Sequence, residues 1–136
     1  MDIFFKDSIS PKIINRKHGF YFSKASKIAE KSSMTHQHGC VIVSDEGNIL
    51  SCGYNKMEDF MCHKYSIHAE IDAICKVKKN KSILQQSTMY IVRISKRGIA
   101  LKYSKPCSDC QKMIEKYGIK RVYYSTSYEF DKIQIK

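Results

Sequence analysis

The hydrophobic pattern changes period along the chain, and this alternation restricts the fold more than any other feature. Cys40 to Val43 is a continuous apolar run, Asp45-Glu46-Gly47-Asn48 supplies turn chemistry and Ile49 to Tyr54 resumes the run, which predicts a two-stranded hairpin. Thr88 to Ile94 is β-branched and aromatic; Lys96-Arg97-Gly98 can turn, and Ile99 to Ser104 extends or returns that strand before Pro106 interrupts it. Lys120 to Ser125 forms the last clear strand. Between these runs the spacing is helical. Gly19 to Lys31 places Phe20, Phe22, Ala25, Ile28 and Ala29 three or four apart, and Ile67 to Lys78 does the same with Ile67, Ile71, Ile74, Cys75 and Val77. Cys107 to Tyr117 is a third helix, with Met113 and Ile114 turned inward and Gly118 placed to cap it. Asn55 to Ser66 reads as a polar loop. Helix, two strands, helix, strand, helix, strand predicts an α/β fold: a mixed or partly parallel sheet with helices on both faces.

A chain of 136 residues with 43% apolar content supports one core, so residues 19–136 are expected to form one domain behind an N-terminal basic arm, residues 1–18, that ends in Asn15-Arg16-Lys17-His18. No run approaches the roughly 20 apolar residues of a membrane span, and the amino terminus alternates apolar with charged residues, unlike a signal-peptide core. The expectation is a soluble, intracellular protein, in the cytoplasm, without a membrane partner. Intracellular thiols stay reduced, so the six cysteines call for packing or metal as explanation. Cys40, Cys52 and Cys75 lie in apolar segments and read as small buried hydrophobes. The net charge of +11 fits an anionic partner, whether nucleotide phosphate, RNA or single-stranded DNA, and equally fits a lysine-rich surface that only keeps the chain soluble.

Cys107-Ser108-Asp109-Cys110, entered through Pro106, sets two thiols on the first turn of a helix, where both reach one ion and the helix terminus favours thiolate. Alone, this spacing also suits a redox pair or two buried small residues. The second half is His68-Ala69-Glu70 at the start of the preceding helix. An imidazole there completes three ligands, and a carboxylate two residues on can face water at the fourth position that a catalytic zinc keeps open.

The two halves together resemble the signature of the cytidine and deoxycytidylate deaminase superfamily, which includes the tRNA adenosine deaminases, over roughly Gly19 to Thr126. The likeness extends to Gly39-Cys40-Val41-Ile42-Val43, Gly53-Tyr54-Asn55 and Gly118-Ile119-Lys120-Arg121-Val122. It implies a three-layer α/β/α sandwich with a mixed sheet of four to five strands. It also implies one catalytic Zn2+ on His68, Cys107 and Cys110, with Glu70 as the proton carrier and Asn55 as a substrate contact. In such a site the metal lowers the pKa of water from about 15.7 to roughly 7. The family sheet has five strands; four are clear here, and Lys132 to Lys136 is the candidate fifth. Relatives are generally homodimers or larger.

His38 stands where many relatives have an apolar residue, so it either lines the base pocket or bonds to nearby backbone. Cys62-His63 would serve a second zinc only with further ligands nearby. A short Asn55–His68 interval and a long stretch before Pro106 match neither deoxycytidylate nor compact tRNA deaminases. The leading expectation is deamination of a dCMP-like nucleotide. Deamination of a base in tRNA or single-stranded DNA or RNA is the alternative, and a catalytically silent nucleic-acid-binding relative is a third, which the retained Glu70 argues against.

Overall fold

The computed structural model describes residues 4–7, 16–61, 63–96, 100–126 and 128–129. In chain order the elements are β1 (Phe4–Asp7), α1 (Arg16–Ala29), β2 (Gln37–Val43), β3 (Ile49–Tyr54), β4 (Lys56–Phe60), β5 (His63–Ile67), α2 (Ala69–Val77), α3 (Lys81–Leu84), β6 (Thr88–Ile94), β7 (Ala100–Lys102), α4 (Ser108–Lys116), β8 (Arg121–Tyr124) and β9 (Tyr128–Glu129). The main path of the sheet runs β1-β8-β6-β2-β3. β8 is parallel to β1 and to β6, whereas β2 is antiparallel to β3 and to β6, so the sheet is mixed. β7 returns antiparallel to the end of β6, with Lys102 opposite Arg93, and also pairs with β9.

The period-two alternation of strands assigns their side chains to two cores. On one face Val41, Val43, Tyr90, Val92 and Ile94 meet Tyr21, Phe22, Ala25 and Ala29 of α1. On the other, Cys40, Ile42, Met89, Ile91 and Val122 meet Ala69, Ala73 and Ile74 of α2 and Ile114 of α4. Two glycines set how near the helices lie. A Cβ on Gly39 would collide with the backbone of α1 at the Ala25 carbonyl, and one on Gly53 would come within 2.5 Å of the Ala69 carbonyl oxygen and the Ala73 nitrogen of α2. Both helices therefore lie almost on the strands. Gly118, at φ +80, ends α4 in the left-handed conformation expected of a helix-terminating glycine.

The three-layer arrangement stands as expected, with four corrections. Asn55–Ser66 is not a loop: β4 and β5 pair antiparallel from Lys56↔Ile67 to Phe60↔His63, as a separate hairpin. Met57, Glu58, Asp59, Lys64, Tyr65 and Ser66 are exposed, so no alternation of buried and exposed residues marks these strands in the sequence. The fifth strand of the main path is β1, from the segment expected to be an arm, and α1 already begins at Arg16. A strand of four residues has too little pattern to be read alone and is defined by its neighbour β8. Lys132–Lys136 lies outside the described residues. Finally, Cys75 is exposed, because α2 turns it away from both cores; Cys40 is buried and Cys52 partly so.

Candidate metal centre and cleft

Two helix starts converge at the ends of the strands. His68, with φ −73 and ψ 154, is the extended residue that precedes α2, and Cys107, at φ −68 and ψ 169, occupies the same place before α4. Neither side chain caps its own helix, although both backbones do: His68 O accepts from Asp72 N–H at 3.0 Å and Cys107 O from Gln111 N–H at 2.9 Å. The imidazole and the thiol thus remain available. Cys110, one turn into α4, completes the group: His68 Nδ1 lies 3.2 Å from Cys110 Sγ and 3.7 Å from Cys107 Sγ. All three ligand atoms fall within 4.8 Å of one another. Tetrahedral zinc, with bonds of about 2.0–2.3 Å, sets its ligand atoms roughly 3.5 Å apart, so nitrogen and two sulfurs at these separations fit one Zn2+. No fourth ligating side chain joins the group among the described residues.

Glu70 is 5% exposed on the first turn of α2. Burial pushes its carboxyl up from the usual carboxylate range, opposed by its own backbone N–H, by His68 and by the Cys110 thiol. Burial and the Glu70 carboxylate push the Cys110 thiol far up as well, against the helix-terminus effect expected from sequence. A bound cation reverses that preference, because coordination deprotonates a thiol outright.

A cavity of about 330 Å3 opens beside this group. His38, Asn55, His68, Glu70 and Cys107 line it, so five of the six site residues picked out from sequence share one wall system, with Cys110 behind them. Asn55 is buried; its Oδ1 accepts from His38 N–H at 2.8 Å and its Nδ2 donates to His36 O at 2.5 Å. Asn55 therefore fastens the start of β2 to the end of β3. His38 Nδ1 is 3.3 Å from His36 O, and burial, joined by the charge of Arg93, brings its pKa down to about 4. Cys62, named for a second ion, lies outside the described residues, as does the side chain of His63.

Sequence reasoning missed three contributors. Asp72 is buried one turn after His68; its Oδ2 accepts Tyr54 N–H at 3.1 Å and pairs with Lys56 at 3.1 Å and Lys76 at 3.5 Å, clamping the residues on both sides of Asn55 to α2. Only its spacing from His68 could have suggested it. Ser104 and Ser125 form a buried pair: Ser104 Oγ donates to Ile91 O at 3.1 Å and accepts Ser125 N–H at 2.8 Å. This pair fixes the strand ends from which the chain enters Pro106 and Cys107. It joins residues far apart in sequence, which no local pattern announces.

A family model described as the cytidine and deoxycytidylate deaminase zinc-binding region matches residues 15–126. Deoxycytidylate deaminase of Enterobacteria phage T4 is 30% identical over 98 residues, covering 71% of this chain and 45% of that protein. A probable deoxycytidylate deaminase of Caenorhabditis elegans is 29% identical over 118 residues, covering 75% and 52%. The chain thus spans about half the length of these two relatives. Among solved structures, apo dCMP deaminase from cyanophage S-TIM5 aligns with a TM-score of 0.62 at 25% identity, covering 87% of this chain and 86% of that one. Cytidine deaminase from Burkholderia pseudomallei shares the fold, with a TM-score of 0.64 at 14% identity over 88% and 91% of the two chains.

Proposed function

The chain belongs to the cytidine and deoxycytidylate deaminase family, and from that premise we propose that it is a zinc-dependent hydrolytic deaminase converting a dCMP-like cytosine nucleotide to the uracil form with release of ammonia. One observation carries the reading: three ligands, not four, converge at a cleft whose wall includes the buried carboxylate of Glu70. A structural zinc site is closed by four protein ligands; three leave a position open toward the cavity.

The zinc ion, when held by His68, Cys107 and Cys110, supplies the Lewis acidity that makes water nucleophilic near neutral pH. Glu70 moves the protons. Its burial raises its proton affinity, which suits a carboxylate that takes a proton from water, passes it to the ring nitrogen and helps deliver one to the departing amine. Asn55 and His38 line the same cavity. Asn55 has a second Nδ2 hydrogen to offer a substrate hydroxyl, and neutral His38 adds a flat, weakly polar wall. The names of the phage T4 and nematode relatives favour deoxycytidylate as substrate. A net charge of +11 supports a second reading, deamination within a nucleic-acid strand. Homodimerisation belongs to the same reading, with exposed Met57, Met61 and Tyr65 near the hairpin as surface that a partner would cover.

Ammonia release by the zinc-loaded protein is measured against dCMP, deoxycytidine, single-stranded DNA and a tRNA anticodon stem, with Glu70→Ala as control. Release from dCMP that the mutation abolishes is expected. Release from a polymer alone moves the assignment to the second reading, and silence on all four sinks the enzyme.

Among the described residues, no helix is long and apolar enough to cross a membrane.

A further inference from the structure

An edge strand leaves the backbone groups of every second residue without a strand partner, and those groups need partners of another kind. β3 ends the main path of the sheet and pairs there with β2 alone. Asn55 N–H donates to His38 O at 3.4 Å, so in the alternating ladder of an antiparallel pair Gly53 and Ser51 also turn their backbone groups toward β2. Those of Cys52 and Tyr54 point outward. Side chains of α2 meet both: Asp72 Oδ2 accepts Tyr54 N–H at 3.1 Å, and Lys76 Nζ, one turn on, donates to Cys52 O at 2.7 Å. A third bond runs the other way, from Ser51 Oγ to Ala73 O at 2.7 Å. Gly53 makes this reach possible, since a Cβ there would meet the helix backbone. The end of β3 therefore takes its position from α2, where an inner strand would take it from a neighbouring strand.

Asp72 is the centre of this arrangement. It is buried, and one of its oxygens gathers three donors: the Tyr54 amide, Lys56 Nζ at 3.1 Å and Lys76 Nζ at 3.5 Å. Lys56 Nζ also lies 4.2 Å from the centre of the Tyr54 ring, so the residues before and after Asn55 are tied to each other as well as to the helix. Asn55 sits between them, buried, and its amide holds His38 N–H and His36 O. Asp72 itself belongs to the first turn of α2: its backbone N–H donates to His68 O at 3.0 Å, and Glu70 is two residues before it. Two groups of cleft residues, Asn55 with His36 and His38, and His68 with Glu70, are thus joined through this one carboxylate.

We propose that Asp72 is a positioning residue of the reaction: without touching substrate, it sets where Asn55 stands relative to Glu70 and the metal ligands, and so how tightly substrate is held. This rests on the deaminase reading for the reaction, but not for the tie between Asp72 and Asn55. A contact that Asn55 makes to substrate serves the ground state and the transition state alike. Its displacement therefore raises KM with little change in kcat, whereas loss of Glu70 lowers kcat.

The test compares the zinc-loaded wild type with Asp72→Ala, Asp72→Asn, Asn55→Ala and the double variant Asp72→Ala/Asn55→Ala, each well below its melting temperature. For dCMP, Asp72→Ala is expected to raise KM about 10-fold, the scale of one lost hydrogen bond, with kcat within about twofold of wild type. Asp72→Asn keeps an acceptor for the Tyr54 amide and recovers most of KM. In the double variant the Asp72 change adds less than about twofold to the KM of Asn55→Ala, because a residue that acts through Asn55 has nothing left to move. Asp72→Glu, one methylene longer, carries the same expectation where Asp72→Ala fails to fold. A second readout needs no substrate: hydrogen exchange at the His38 amide, whose bond to Asn55 Oδ1 reports the place of Asn55, measured against the core amide of Val41. It is expected to quicken about 10-fold in Asp72→Ala and to stay near wild type in Asp72→Asn. A KM unchanged in Asp72→Ala, or a rise that multiplies in full on that of Asn55→Ala, overturns the proposal and leaves Asp72 a contributor to stability alone. A wild type that turns over no dCMP, while His38 exchange still answers to Asp72, sinks the deaminase reading and leaves the tie standing; His38 exchange that ignores Asp72 overturns the tie itself.

Discussion

The two faces of the sheet use the same strands for different ends. Toward α1, Tyr90 stacks on Tyr123 with ring centroids 5.2 Å apart and meets Phe22 edge-on at 5.2 Å, above buried Val41, Val92 and Leu101. Its hydroxyl is bonded to His18 Nδ1 at 2.6 Å, so even the polar tip has a partner. Toward α2 and α4 the strands carry Cys40, Ile42, Met89, Ile91, Val122 and Tyr124, and the helices bring a buried carboxylate and a buried thiol against them. The first face is large, aromatic and internally satisfied, which favours packing energy. The second sets ionisable groups beside its apolar cluster, with His68, Glu70, Cys107 and Cys110 at the helix starts. Fold stability and chemistry are thus divided between opposite sides of shared strands.

The largest expected effect breaks that division into its two halves. Glu70→Gln should lower kcat by about 10²–10⁴-fold, the range for a lost acid–base group, while zinc content by atomic absorption stays at one ion per chain. On the other face, Phe22→Ala should cost about 3–5 kcal/mol in urea unfolding, with kcat retained well below the melting temperature. An equal loss of activity in both variants would end the distinction.

The paired glycines sharpen it. Gly39→Ala and Gly53→Ala each force a helix off the sheet, at about 1–3 kcal/mol for overpacking. Gly53→Ala also displaces the helix that carries Glu70, and is expected to lower kcat/KM by about 10–100-fold beyond the stability loss, since small misplacements of reacting groups are costly. Asp72→Ala should then cost about 1–3 kcal/mol by leaving the Tyr54 amide and two lysines without their shared acceptor.

The smallest effect is a pH slope. His38 is favoured neutral in the folded chain, its pKa lowered from 6.5 to about 4 chiefly by burial, with Arg93, His68 and His36 adding to it. Its contribution to stability is complete above pH 6.5 and is lost as the pH falls toward about 4, because the unfolded chain takes up the proton first. The drop in urea midpoint between pH 7 and pH 5 should therefore be smaller in His38→Gln; an identical drop would leave His38 without this role.

Much of this arrangement is legible in one dimension. His68, Glu70, Cys107 and Cys110 declare themselves because metal chemistry demands particular atoms at fixed helical spacing, and α1, α2 and α4 because burial of one helix face imposes a period. The hairpin β4–β5 is not legible: it mixes charged, polar and apolar residues without a buried face to order them, Met57, Glu58, Asp59, Lys64, Tyr65 and Ser66 all being exposed, and its pairing is between backbone groups that every residue has. β1 is hidden for a related reason, since four residues acquire a strand's identity only from β8 beside them. Asn55 shows an intermediate case. The resemblance implies a substrate contact for it, and the structure shows its amide holding His36 and His38 at the start of β2 while lining the cleft.

The sequence by itself determined the candidate ligand set and the carboxylate beside it, the helices that present them and the layered α/β architecture, because each depends on residue type at short, regular intervals. The tertiary structure decided which strand closes the sheet, and that Asp72 and the Ser104–Ser125 pair hold the site in place. Those outcomes depend on groups brought together across many residues of chain, where direction, burial and the lack of a partner exist only once the strands have paired.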